Sequence, residues 1–296
     1  MILSAFQPLM GAESGVILKH LNSFGVKGKG LGELRSPKAV EIDGGGCVYV
    51  IDNGNSRVVK FSPEGKYLLS TSGWGESEDR FRKPVDIALD GGLNLFIADY
   101  SSRRIVRIDR EMNFVWDVKL NEMNELWEFP LSIALSEWGE LFILEAVTSE
   151  IIKLDPVSFT AEGFGGYRSG KASTAGADKI AVNSKGLLYI NQPSQRRIGV
   201  YDRYGNYIQS YPLSERAVTV TAAAEIIWIS TGQSVLYLAG SRFEKAKISA
   251  EETADFKFHE IIDIAVSLRK MAVLDSQPPY IHIFEIAFIG ALKWDP

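Results

Sequence analysis

The side chains in this sequence whose type and spacing could do chemistry are few. Three histidines (His20, His259, His282) and one cysteine (Cys47) are all that a soft or borderline metal could use. A lone cysteine excludes an internal disulfide and a cysteine-rich zinc centre. Asp178 and Asp263 stand at the start of short apolar runs, where carboxylate oxygens can serve a hard divalent cation. No Gly-x-Ser-x-Gly elbow, phosphate-cradling loop or Cys–His pair at readable spacing occurs. Gly163-Phe-Gly-Gly166 and the Gly44–Gly46 run read as turns. One acid–base pairing recurs: Asp52 precedes Arg57 as Asp99 precedes Arg104, each across a four-residue turn. A carboxylate–guanidinium bond at that spacing clamps the two ends of a hairpin. A catalytic group normally occurs once, so Asp52, Arg57, Asp99 and Arg104 are expected to be structural clamps.

The elements that carry these residues repeat. Six segments share one pattern: Pro37–Asp43, Pro84–Asp90, Pro130–Ser136, Ala177–Asn183, Arg216–Ala222 and Ile261–Ser267, starting 47, 46, 47, 39 and 45 residues apart. Each is followed by a turn, Gly-bearing in the first four units, and a second apolar run, such as Cys47–Ile51 or Leu93–Ile97. A third run follows, such as Val58–Phe61 or Ile105–Ile108. A more polar fourth run often closes the unit, as at Tyr67–Thr71, Phe114–Trp116 and Tyr207–Ser210. Runs of four to six β-branched and aromatic residues bounded by Gly, Asn, Asp and Pro are strands. Four antiparallel strands repeated six times predict an all-β, six-bladed β-propeller of four-stranded blades. Gly15–Gly25 reads as a fourth strand placed before the first unit, so it is expected to complete the last blade and join the chain ends. Ala287–Trp294 has a similar pattern and competes for that slot.

Composition narrows the class. The 296 residues are 46% apolar and 23% charged with net charge −5, an ordinary globular balance that argues against a broad basic field for nucleic acid. No run of 18 apolar residues exists, so no transmembrane helix is expected. Residues 1–14 are largely apolar, through Ile2, Leu3, Ala5, Phe6, Leu9 and Met10, with no charge before Glu13. They read as an N-terminal arm or the remnant of a secretory signal that lacks its basic start, which favours a periplasmic or secreted protein over a cytoplasmic one. Residues 15–296 are expected to form one propeller.

The first unit, Phe24-Gly…Gly30…Pro37…Val40–Asp43…Val48–Asp52…Asn55-Ser-Arg57…Phe61, resembles the NHL repeat. The second, Pro84…Ile87–Asp90…Phe96–Asp99…Arg104, matches almost as well. In the third and fourth, Glu145 and Asn191 replace the Asp and Glu150 the Arg; the last two are degenerate. The resemblance covers about residues 15–290 and implies a six-bladed propeller. It says little of activity, since this fold hosts binding modules and enzymes.

Among enzymes on related six-bladed folds, a peptidylglycine amidating lyase would need histidines near the axis. His20 falls on an outer strand, His282 on a third strand and only His259 before an innermost one, so convergence is not expected. A gluconolactonase-like or strictosidine-synthase-like hydrolase or lyase would place oxygen ligands around an axial divalent cation, with Asp178 and Asp263 as candidates. RNA binding would need Arg35, Arg80, Arg82, Lys83, Arg103, Arg104, Arg168, Arg196 and Arg197 on one face, but the same loops carry Glu76, Glu78, Asp79, Glu122, Glu125 and Glu128. The remaining constellation is aromatic. Arg35, Trp74, Arg82, Tyr100, Trp127, Tyr167 and Arg168 fall in loops that emerge on one propeller face, a composition suited to protein recognition. The expected function is a non-enzymatic scaffold binding a protein or peptide through that face, without cofactor or metal; the axial-metal hydrolase or lyase is the alternative.

Overall fold

The computed structural model describes residues 15–76, 78–91, 93–239, 242–249 and 256–289. The N-terminal arm proposed for residues 1–14 lies outside them. Six blade sheets radiate from an axis; five have their strands in chain order from the inside out, and the sixth runs outward as Ile261–Ser267, Lys270–Asp275, Ile281–Ile289, Gly15–Phe24 and Lys247–Ser249. The innermost strands are Ala39–Ile42, Pro84–Leu89, Pro130–Leu135, Lys179–Val182, Thr219–Ala223 and Ile261–Ser267. The helical content is one four-residue turn, Leu120–Met123, and four short 3-10 turns, among the described residues. No helix there is long and apolar enough to cross a membrane.

Local chemistry explains each blade. In the first four blades the hairpin between first and second strands turns on a glycine at positive φ, as at Gly46, Gly139 and Gly186 (φ 86°, 81° and 75°); in blades five and six Ala224 and Leu268 take that region, at a cost glycine avoids. The link between second and third strands is one 3-10 turn ended by a residue in the left-handed region: Ser56, Arg103 and Arg196 in blades one, two and four. Second strands are buried almost throughout, so they are apolar nearly to their last residue; third strands keep half-exposed positions such as Lys60 and Lys153. Fourth strands are half exposed and more polar.

The buried apolar side chains fall into six clusters, and each joins two successive blades. Ala39, Tyr49, Ile51 and Val58 of blade one meet Ile87, Leu95, Ile97 and Val106 of blade two. The last cluster needed to complete the ring sets Ala265, Ala272 and Leu274 of blade six against Val40, Val48 and Val50 of blade one. A blade alone buries neither face; in the ring it buries both.

The ring closes through the N-terminal strand. Gly15–Phe24 pairs antiparallel with Ile281–Ile289, from Gly15 opposite Ile289 to Phe24 opposite Ile281. Ala287–Ile289, which begins the segment that competed for this slot, continues the third strand instead. Lys247–Ser249 adds a short parallel strand outside the closing one. In blade five the innermost strand is set one residue later than the repeat spacing implies: Thr219 faces Ser230 just as Asp263 faces Leu274.

The closing strand buries Val16 and Leu18 almost completely. Deleting residues 1–24 removes both, at ~2 kcal/mol each, and bares a strand edge. The melting temperature is expected to fall by roughly 10 °C or more. An unchanged melting curve in differential scanning calorimetry would refute closure by this strand.

Candidate functional site

At the third position of the repeat segments blades two, three, four and six contribute Asp86, Ser132, Lys179 and Asp263, and blade five contributes Thr219 one residue later; blade one has the apolar Ala39 there. The five polar residues form a knot across the axis. The Lys179 ammonium lies 2.7 Å from Asp86 Oδ1 and 3.1 Å from Asp263 Oδ2, linking blade four to blades two and six. Ser132 of blade three donates its hydroxyl to Asp86 Oδ2 at 2.7 Å and accepts the Ile180 amide of blade four. Thr219 of blade five donates to Asp263 Oδ1 at 2.6 Å. The Val40 amide of blade one donates to Asp263 Oδ2 at 3.2 Å. Every blade therefore has a bond to one connected network.

Electrostatics follow from this burial. Burial opposes the charge on Lys179, but Asp263 and Asp86 outweigh it and hold the ammonium well above the ordinary lysine range. Burial raises the Asp263 carboxyl, against the pull of Lys179. Two residues on from Ala39, Glu41 lines the channel. Burial, reinforced by Asp263 and Asp86 and only partly offset by Lys179, pushes its carboxyl up to about 8.

The knot floors a cavity of about 230 Å³. Its walls are the later positions of the innermost strands, including Ala88, Ala134, Ala181 and Thr221, and its mouth is marked by Asp43, Gly44, Gly91 and Ser267. It thus opens on the face of the first-to-second-strand turns, opposite the loops that carry the arginines and aromatics. Of these residues only Asp263 was among the candidates expected from sequence; Asp86, Lys179, Ser132, Thr219 and Glu41 were not. The signal was there: charged residues among β-branched neighbours at one position of three repeats.

A divalent cation of the gluconolactonase type does not fit these residues. The Lys179 ammonium stands between the two axial carboxylates, where a dication bridging them would meet its charge. Asp178 is turned away to Asn191, whose Nδ2 donates to it at 2.8 Å, and burial raises it to about 6.

At the loop-bearing face, Arg57 Nε is 2.8 Å from Asp52 Oδ2, and the same guanidinium caps the Gly30 and Glu33 carbonyls. Arg104 lies 3.5 Å from Asp99 and 3.2 Å from Asp117. The carboxylates also receive the backbone amides that lead into the innermost strands: Arg35 on Asp52, Arg82 and Lys83 on Asp99. Glu145 plays this part in blade three. In blade four the position belongs to Gln192, which Arg197 Nε reaches at 2.8 Å, and not to Asn191. Of the aromatic-face residues, Arg35, Arg82, Tyr167 and Arg168 are exposed and Tyr100 is half-buried. Trp74 is half-buried, stacked on Phe114 at 3.9 Å under the Arg104 guanidinium. Trp127 corrects the expectation. It is 5% exposed, packed between blades two and three, with its indole N–H given to Glu150 Oε2 at 2.8 Å. It plugs an interface and offers a partner no face.

The histidines stay off the axis, as their strand positions imply, yet they gather at blade six. Ser23 Oγ lies 2.7 Å from both His20 Nε2 and His282 Nδ1. His282 Nε2 and His259 Nδ1 are 3.6 and 3.7 Å from Asp275, the sixth blade's counterpart of Asp52. Pairing of the closing strand with the third strand brings His20 beside His282, away from the axis. Burial lowers the His282 imidazole to about 4; Asp275 opposes the shift, and His20 and His259 reinforce it.

No protein-family model matches the chain, and no curated protein matches it. Solved structures share its shape. Virginiamycin B lyase from Staphylococcus aureus superposes with TM-score 0.60 at 13% identity, over 85% of this chain and 80% of that one. A catalytically inactive variant of that lyase with quinupristin gives 0.61 at 15%, over 88% and 82%. The β-propeller domain of Cps50 (Swd1) from Myceliophteria thermophila gives 0.56 at 11%, over 86% and 99%. These likenesses establish the fold: an all-β, six-bladed β-propeller.

Two predictions follow from the site. Lys179→Met strands two buried carboxylates and should cost about 3–5 kcal/mol in urea denaturation at pH 7. Adding Asp86→Asn and Asp263→Asn should restore most of it; no recovery would refute the knot's charge balance. The second concerns acid. The unfolded chain protonates His282 near 6.5, the folded chain near 4, so this contribution is whole above pH 6.5 and lost as pH falls toward 4. His282→Asn should lessen the fall in stability across that window by roughly 3 kcal/mol; parallel curves for the two proteins would refute it.

Proposed function

We propose that the chain is an NHL-type propeller acting as a non-enzymatic scaffold, and that it binds a protein or peptide through the face bearing Arg35, Arg82, Tyr100, Tyr167 and Arg168. The observation that carries this reading is a cation–aromatic ladder on that face. The Lys83 ammonium lies 4.5 Å above the Tyr100 ring, Tyr100 stacks on Phe129 at 4.8 Å, and the Arg103 guanidinium lies 5.0 Å from Phe129. Planar groups already held in register lose little rotamer freedom on binding. Tyr167, 62% exposed, and Arg168 extend the surface at blade three. The repeated Asp–Arg hairpin clamps at the positions of the repeat resemblance support the NHL assignment. The hydrolase or lyase reading keeps one supporting feature, the Glu41 carboxyl near 8 in the axial cavity, a range useful to a general acid or base. It loses its axial dication to Lys179.

A truncated central hot spot is worth ~2 kcal/mol or more. Arg82→Ala with Tyr167→Ala is therefore expected to weaken capture of a native partner tenfold or more, with melting unchanged. The matched control, Glu64→Ala with Lys185→Ala on the opposite face, should do little. Trp74→Ala is a poorer test, because its ring also packs against the cluster between blades one and two. Identical partner recovery by both double variants in quantitative pulldowns from the native host would overturn the reading.

A further inference from the structure

The axial cavity lies on the face away from the proposed partner surface and stands or falls separately from it. Its 230 Å³ would hold roughly seven waters at ~30 Å³ each, so it is too small for a peptide and large enough for a molecule of a few heavy atoms. Its walls and floor differ in kind. Ala88, Ala134 and Ala181 form a short apolar wall, while Glu41, Lys179 and Asp263 supply the polar groups. The charges there do not cancel. Lys179 is one positive charge set against Asp86 and Asp263, and both carboxylates engage its protons. Asp43 adds a carboxylate at the mouth, held by the Cys47 amide and the Tyr49 hydroxyl. No side chain among the described residues donates a hydrogen bond to the Glu41 carboxyl, which lines the cavity.

We propose that this cavity binds a small organic cation, with an ammonium head-group beside Glu41 and a short alkyl body against the alanine wall. An anion would face the surplus negative charge of the knot. A neutral molecule of the same shape would gain the wall but no ion pair. A bare inorganic ion would leave the apolar wall unused. Burial, helped by Asp263 and Asp86 against the pull of Lys179, keeps the proton on Glu41 up to about pH 8, so a cation that pairs with the carboxylate must displace that proton. Affinity then climbs with pH and levels off once the proton is already gone.

The probe is n-butylammonium chloride, titrated calorimetrically into the full chain at pH 6, 7, 8 and 9, with n-butanol, butyrate and potassium chloride as matched probes. Saturable one-site binding is expected, strengthening by up to ~10-fold per pH unit below 8 and flat above it. At pH 7 the heat should vary with the buffer's ionisation enthalpy, reporting the released proton. Butanol and butyrate should bind at least ~10-fold more weakly, the loss of one ion pair in a poorly solvated site. Glu41→Gln should weaken the probe by the same factor and abolish the pH dependence. Ala222→Phe, at the cavity wall, leaves Glu41 intact and should block binding by filling space, which keeps the test decisive even where Glu41→Gln folds poorly. Butanol binding as tightly as butylammonium, potassium competing on equal terms, or an affinity indifferent to both substitutions would each overturn the proposal.

Discussion

A single ammonium group, that of Lys179, is shared by two buried carboxylates that belong to different blades. The six interfaces between blades are apolar clusters, and apolar contact is tolerant: it stabilises a neighbour without dictating its height along the axis. The knot is not tolerant. Asp86, Ser132, Lys179, Thr219, Asp263 and the Val40 amide meet only when all six innermost strands stand at one level. Breaking a buried pair is far more costly than never having built it, so the network's value lies in fixing register more than in adding net stability.

The same knot decides what the channel is. Because Lys179 crosses it, the channel is a blind pocket on one side, with Glu41 and the alanines beneath. On the other side the carboxylates and the Gln192 amide at the ends of second strands, from Asp52 to Asp275, bind the loops that lead into the axis. The loops of that face are thereby held from below, which lets exposed groups such as Arg82 and Tyr167 keep a fixed spacing without packing of their own.

Most of the architecture was legible because a propeller writes itself into the chain six times. Strand order and blade number follow from spacing and the apolar pattern, which left Gly15–Gly25 favoured for the ring-closing slot but Ala287–Trp294 competing for it. What was less legible lies where the repeat pattern meets three dimensions. Lys179 and Asp86 are distant in sequence and look like stray charges until the ring closes. His20 and His282 seem separated by strand rank, yet an outer strand and a third strand are neighbours, and pairing alone sets their rings 6.3 Å apart. Trp127 has the composition of a recognition residue, but its loop folds inward and the indole serves Glu150. The Gln192-for-Asn191 shift shows that a repeat aligned by residue type can be one place off when an amide does a carboxylate's work.

The closing strand also has a history during synthesis. Ser23 and His282, bonded in the finished blade, are 259 residues apart in the chain. At translation rates of ~5–20 residues per second, the strand that carries Val16 and Leu18 waits roughly 13–50 s after it is made for its partner to exist. Throughout that interval its apolar face and unpaired backbone edge are open to solvent, to nascent blades and to neighbouring chains. The charged and polar residues spaced along it, Lys19, His20, Asn22 and Ser23, interrupt the apolar run and oppose premature edge-to-edge pairing. Ring closure thus depends, while the chain is being made, on the solubility of a waiting strand.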